Sequence, residues 1–142
     1  MEDNRGDILM YQTVDGKTAI EVMLSNDTVW LTIDKMAELF QRNKSTISRH
    51  IKNILECGEL AAESTVAFFA TVQKEGKRNV EREIVYYNLD MIISVGYRVN
   101  SIRGVQFRMW ATSVLREYLI KGFAMNDALR KDIGRSGQEE SR

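Results

Sequence analysis

Three features of the sequence predict an α+β domain: two hairpin-like strand pairs, a pair of short helices between them, and a long amphipathic helix behind them. Residues 8–13 and 17–24 have strand character, and Asp15-Gly16 between them is a strong hairpin turn signal. Ile20, Val22 and Leu24 alternate onto one face of the second strand. Asn26-Asp27 predicts the next turn, after which Val29-Trp30-Leu31 returns as a third short strand.

Residues 30–55, WLTIDKMAELFQRNKSTISRHIKNIL, predict two short helices joined by a tight turn. Thr32 suits the N-cap of the first, with Lys35 at the third helical position and Asp34 where the helix dipole favours a negative charge. Ile33, Met36, Ala37 and Phe40 form its apolar face, and small Ala37 lets a second helix cross close by. Gln41, Arg42 and Asn43 interrupt the pattern, and Asn tolerates a left-handed turn conformation. The second helix is predicted from about Ser45, with Ile47, Ile51, Ile54 and Leu55 on one face and Gly58 as its C-terminal cap.

Residues 64–88 predict a second hairpin, with arms VAFFATVQ and VEREIVYYN and the polar loop KEGKRN. A short apolar helix, LDMIISV, is predicted to stop at Gly96. Ser101 suits the cap of a long helix, 102–121, whose stripe of Phe107, Trp110, Ala111, Val114, Leu115, Tyr118 and Leu119 reads as core. Gly122 is predicted to end that helix. The reading is one domain over 1–125, followed by a polar tail, 126–142, with a weak helix start and a disordered end.

Net charge is zero, but its distribution is not even. Residues 1–40 hold eight acids against three bases, whereas residues 41–55 hold four bases (Arg42, Lys44, Arg49, Lys52) and no acid. The polar face of the second helix therefore has the chemistry of a DNA-recognition helix. Arg reads guanine and Asn reads adenine in the major groove, while Ser and Thr hydroxyls reach bases or phosphates. Ser45, Thr46, Arg49, His50 and Asn53 are the candidate base readers; Arg42, Lys44, Lys52, Lys77 and Arg78 are the candidate phosphate contacts. A strand pair directly after such a helix reads as a wing, with Lys74 also near its tip. The whole is a winged helix-turn-helix-like domain. Solvated helix and hairpin surfaces are the competing reading. Arg103, Arg108 and Arg116 lie off the core stripe, as a solvated face or a second phosphate-contacting patch.

The sequence carries no Gly-rich phosphate cradle, no Cys/His zinc spacing, no Ser–His nucleophile pair and no cluster of acids for magnesium. It predicts a non-enzyme without cofactor or metal. Cys57 excludes an internal disulfide and reads as an incidental thiol. No apolar run is long enough to cross a bilayer, and the acidic N-terminus lacks a signal-peptide core, so a cytoplasmic protein is expected. Double-stranded DNA is the expected partner, with a homodimer through helix 102–121.

Several runs resemble the RhuM-like family of bacterial virulence-associated proteins. They are VWLTIDKMAELFQRNKSTISRHIKNI, REIVYYNLDMIISVGYRVNSIRGVQFRMWATSVLREYLIKGF and the hairpin preceding the second run, together spanning about Ile8 to Met125. That family is similar to the N-terminal domains of phage and viral antirepressor-type DNA-binding proteins. The resemblance implies a DNA-binding domain of a bacterial or phage-derived transcription regulator. A protein-interaction module of an antirepressor or toxin-linked system is the alternative. Family members are commonly longer, with a further C-terminal region that the segment after ALRKDIG does not resemble. Some relatives carry labels of Fic-type nucleotidyl transfer, which needs a His before an Asn/Gly-rich anion loop. His50 is followed by IKNILECG, which is not such a loop.

Overall fold

The protein's structure, a computed structural model, describes residues 6–134, with side chains described as far as Lys121. It is a mixed α/β fold of one five-stranded antiparallel sheet and five helices. Strands β1 (Asp7–Gln12), β2 (Ala19–Ser25) and β3 (Thr28–Leu31) form a meander. The helix pair α1 (Ile33–Phe40) and α2 (Lys44–Glu56) follows, then a short helix α3 (Ala62–Thr65). The second hairpin is β4 (Val66–Glu75) and β5 (Arg78–Asn88), and helices α4 (Leu89–Arg98) and α5 (Ile102–Gly134) close the chain. Among the described residues no helix is long and apolar enough to cross a membrane.

Local chemistry explains most of these elements. Asn26 and Asp27 both take left-handed backbone (φ 54° and 65°) between the paired Ser25 and Thr28, the tight turn such residues favour. The β1–β2 loop is longer than Asp15-Gly16 alone. It closes at Thr13 and Thr18, where the Thr13 hydroxyl donates to Asp15 Oδ1 at 2.7 Å and accepts from the Thr18 N–H at 3.1 Å. Thr32 caps α1 by accepting the Lys35 N–H at 3.1 Å, as its position predicts. Gly58, at φ 83°, ends α2 in a Schellman motif: the Gly58 N–H donates to Leu55 O and the Glu59 N–H to Ile54 O. Ser101 Oγ accepts the Arg103 N–H at 3.1 Å at the start of α5.

Four expectations are corrected, and one element is added. The left-handed residue between α1 and α2 is Gln41 (φ 58°), not Asn43, because the chain reverses at the C-cap of α1 and Asn43 is the N-cap of the next helix in extended backbone. The loop of the second hairpin shrinks to Gly76-Lys77, since Lys74 pairs with Asn79 and Glu75 with Arg78. The short helix α3 precedes that hairpin and has no periodicity from which to be read. Gly96 does not end α4, which runs to Arg98 before Asn100 takes left-handed backbone. Nor does Gly122 stop α5. A single glycine in a helix costs only about 1 kcal/mol, and good helix formers follow it with no proline. The predicted disordered end beyond residue 134 lies outside the described residues.

The sheet order is β1-β2-β3-β5-β4. Trp30 pairs with Asn88 and Leu31 with Tyr87, which joins the second hairpin to the meander at its base. Ile20, Val22, Leu24, Val29 and Leu31 are buried on one face. Met23, Trp30 and Phe69 form a smaller cluster on the other, with Ala67 and Tyr86 against it. Trp30 and Phe69 meet edge-on, as do Phe69 and Tyr86. Asn88 has a double role that its sequence position did not reveal. It caps α4 through the Met91 N–H at 3.2 Å and donates to Ser64 O at 3.0 Å.

The chain divides into two compact units, with a boundary between Ala111 and Thr112 inside α5. In the first unit, α4 and α5 cross at two glycines. A Cβ built on Gly104 would lie 3.3 Å from the Gly96 Cα, and the Phe40 ring wedges against both positions. Phe107 and Ala111 are fully buried, and Tyr11 packs on Phe107 and Trp110 with ring centroids 5.2 and 5.0 Å apart. Phe107, on the stripe that reads as core, is internal. The second unit continues α5 from Thr112, with Tyr118 and Leu119 exposed.

Candidate nucleic-acid interface

The site is built on α2. Ile47, Ile51 and Ile54 are buried, which fixes the rotation of the helix and turns its opposite side outward. Ser45, Ser48, Arg49, Lys52 and Asn53 are exposed along that side at helical spacing, a continuous stripe. Among the described residues, the side chains of Arg49, Lys52 and Asn53 form no hydrogen bond or ion pair. They are available to a ligand. The N–H groups in the first turn of α2 precede the first intrahelical bond, which runs from Ile47 N to Asn43 O. Asn43 makes no side-chain cap there, so this end stays open to an anion.

The remaining predicted base readers stand differently. Thr46 and His50 lie on the flank of α2 and are half-buried. His50 Nδ1 is buried and without a hydrogen-bond partner among the described residues. Burial holds the imidazole below its ordinary value, and the positive charges of Arg49 and Arg98 act in the same direction. The residue is therefore a neutral ring at physiological pH. Ser48, by contrast, sits in the middle of the exposed stripe. Its place one turn below the helix start and between the buried Ile47 and Ile51 could have singled it out.

The predicted phosphate contacts also separate. Arg42 is exposed, but its guanidinium donates to Phe40 O at 3.1 Å, Gln41 O at 3.3 Å and Val99 O at 3.0 Å. Lys44 forms an exposed pair with Asp34 at 3.3 Å. Lys52 is unengaged on the stripe. Lys77 and Arg78 are exposed at and beside the two-residue tip of the second hairpin, where the nearest acid, Glu75, is held by Arg82 in a two-pronged pair at 2.6 and 2.8 Å. That contact keeps the Glu75 carboxyl below the usual range. A groove of about 510 Å³ separates the hairpin from the start of α1, with the exposed carboxylates of Asp34 and Glu38 on its helix side.

Arg103 belongs to the framework of the site rather than to a solvated face. Its Nε donates to Leu39 O, and its Nη1 lies 3.5 Å from Asp15 Oδ2. The last carbonyls of α1, which has no base of its own in its final turn, are thus capped by Arg103 and Arg42 from outside the helix. Nothing in local sequence links Arg103 to a helix ending at residue 40. On the far side of α2, Arg98 bridges to Glu59 at 2.9 Å, and Ser94 donates to the other carboxylate oxygen at 3.0 Å. These contacts lower the Glu59 pKa and tie α4 to the end of α2.

Comparison with known proteins adds one finding. The model of the virulence protein RhuM family matches residues 64–140, just over half of the chain. The chain belongs to this family. The RhuM match begins in α3, covers the second hairpin and α4, and continues through α5 to residue 140. It therefore extends past Met125, where the sequence resemblance stopped, and it leaves α1 and α2 outside. The candidate interface thus combines a hairpin within the RhuM match and a helix pair that precedes it. No curated protein and no solved structure matches the chain. Among the described residues, no group of three or more His, Cys, Asp or Glu side chains is placed to hold a metal ion.

Proposed function

We propose that this RhuM-family chain is a sequence-specific duplex-DNA-binding domain of a bacterial or phage-derived transcription regulator, built as a winged helix-turn-helix. The observation that carries the reading is the α2 stripe. Ser45, Ser48, Arg49, Lys52 and Asn53 are exposed together, on a helix locked by its buried isoleucines and with an open N-terminus. Arg49 and Asn53 are one turn apart, the spacing at which two side chains of one helix reach neighbouring base pairs in the major groove. The strand pairing supports the wing: β3 leads into the helix pair, and its pairing with β5 holds the basic hairpin beside it. Lys77 and Arg78 then reach phosphates, as does Lys52, while Arg42 acts chiefly by holding the turn.

The test is binding to duplex DNA as a function of salt. About three phosphates neutralised per protomer, by Lys52, Lys77 and Arg78, give a log–log slope of about −3. A flat salt response, or no binding at low salt, overturns the reading in favour of a protein-interaction module. Enrichment sequencing from random duplexes then names the operator.

A further inference from the structure

We propose that two copies of this chain join edge to edge through β1, as an antiparallel two-fold pair centred on Met10. Strand β1 is one edge of the sheet. The Thr13 N–H donates to Thr18 O at 2.8 Å, which makes the end of the β1–β2 hairpin a hydrogen-bonded pair. In an antiparallel ladder such pairs alternate. With Tyr11 opposite Ile20, Leu9 opposite Val22 and Asp7 opposite Leu24, these three residues turn their backbone groups toward β2. Ile8, Met10 and Gln12 therefore point theirs away from the sheet. No backbone hydrogen bond outside the sheet engages these residues among the described ones.

This edge lacks the usual protection. Natural edges carry a charge, a proline or a bulge at the outward positions. Here the outward residues are uncharged, and Ile8 and Met10 are 53% and 58% exposed. The edge is also self-complementary. With Met10 opposite Met10 of a second copy, Ile8 faces Gln12 and Gln12 faces Ile8. All three pairs are of the hydrogen-bonded type, so about six new backbone bonds form. The acid of β1, Asp7, meets Thr13 rather than itself. Ile8 and Met10 of both copies fall on one face of the merged sheet, and Ile8 lies beside Met23, which adjoins Trp30. The new contact thus adjoins the buried apolar cluster of Met23, Trp30 and Phe69. A ladder of this length covers less than a standard interface of roughly 1,200–2,000 Å², so association in the micromolar range is expected.

The experiment is sedimentation of the full chain, without DNA, from about 1 to 500 µM. The expected result is a monomer–dimer equilibrium that Met10→Lys weakens at least tenfold, by placing two like charges opposite each other at the centre. Met109→Lys, at a residue 64% exposed on α5, is the control and leaves it unchanged. A Met10→Cys chain in a Cys57→Ser background is expected to cross-link to itself on oxidation, because opposed Cα atoms about 5.5 Å apart accept a disulfide. A wild-type chain that stays monomeric, or a dimer unaffected by Met10→Lys, overturns the proposal. Because no DNA is present, neither outcome bears on the DNA-binding reading.

Discussion

Gly104→Ala is a direct test of how α4 and α5 hold the helix pair. The new methyl carbon would sit 3.1 Å from Phe40 Cε1 and 3.3 Å from the Gly96 Cα. Phe40 is essentially fully buried and cannot swing away, and the Gly96 contact is backbone. Overpacking of this kind costs about 1–3 kcal/mol. Against it stands the better helix propensity of alanine, worth about 1 kcal/mol inside a helix. With a fully buried ring and a backbone atom both in the way, the cost lies toward about 2–3 kcal/mol, so the clash wins and the net loss is about 1–2 kcal/mol. Gly96→Ala meets the same ring at 3.3 Å but its nearest backbone at 3.5 Å, so the two effects there nearly cancel. The double variant costs more than the sum, since both methyls press on one ring. Urea unfolding followed by tryptophan fluorescence measures all three. A Gly104→Ala protein as stable as the wild type, or more so, would refute the close crossing and the role given to Phe40.

Three further outcomes follow from the same geometry. Thr32→Ala removes the cap of α1 and is expected to cost about 1 kcal/mol in the same unfolding assay, with Thr32→Ser recovering most of it. His50 has a folded pKa below its ordinary value, so the unfolded chain takes up the proton first. Its contribution to stability is complete above pH 6.5 and is lost as pH falls from there through the lower folded value. Glu59 and Glu75, also depressed, lose theirs only at more acid pH; a His50→Gln chain should therefore lack the first decline but keep the second. On DNA, Arg49→Ala is expected to cost about 1–3 kcal/mol on the preferred site and to relax preference at one or two positions. Lys52→Ala instead weakens all sequences alike and lowers the salt slope by about one. Identical behaviour of the two across a panel of sites would remove the distinction between reader and holder.

Much of the fold was legible in the sequence because its signals are local. The Thr32 cap, the Asn26-Asp27 turn, the Gly58 stop and the isoleucine spacing of α2 each depend on residues within one or two turns of one another. The exposed stripe of α2 follows from that spacing, so Ser45, Arg49, Lys52 and Asn53 could be placed before any coordinates. Tertiary structure alone decided the rest. Gly96 reads as a helix stop, and Gly104 carries no signal of its own, until the two helices cross and need the space. Arg42 reads as a phosphate contact, and Arg103 as part of a solvated face or a second phosphate-contacting patch, until the open carbonyls at the end of α1 are brought to them. Likewise, β1 becomes an edge, and β3 the strand that anchors the second hairpin, only when strands far apart in the chain pair. Local rules set which elements form; which side chains remain for a partner depends on contacts between residues up to 88 positions apart, such as Asp15 and Arg103, and no periodicity encodes them.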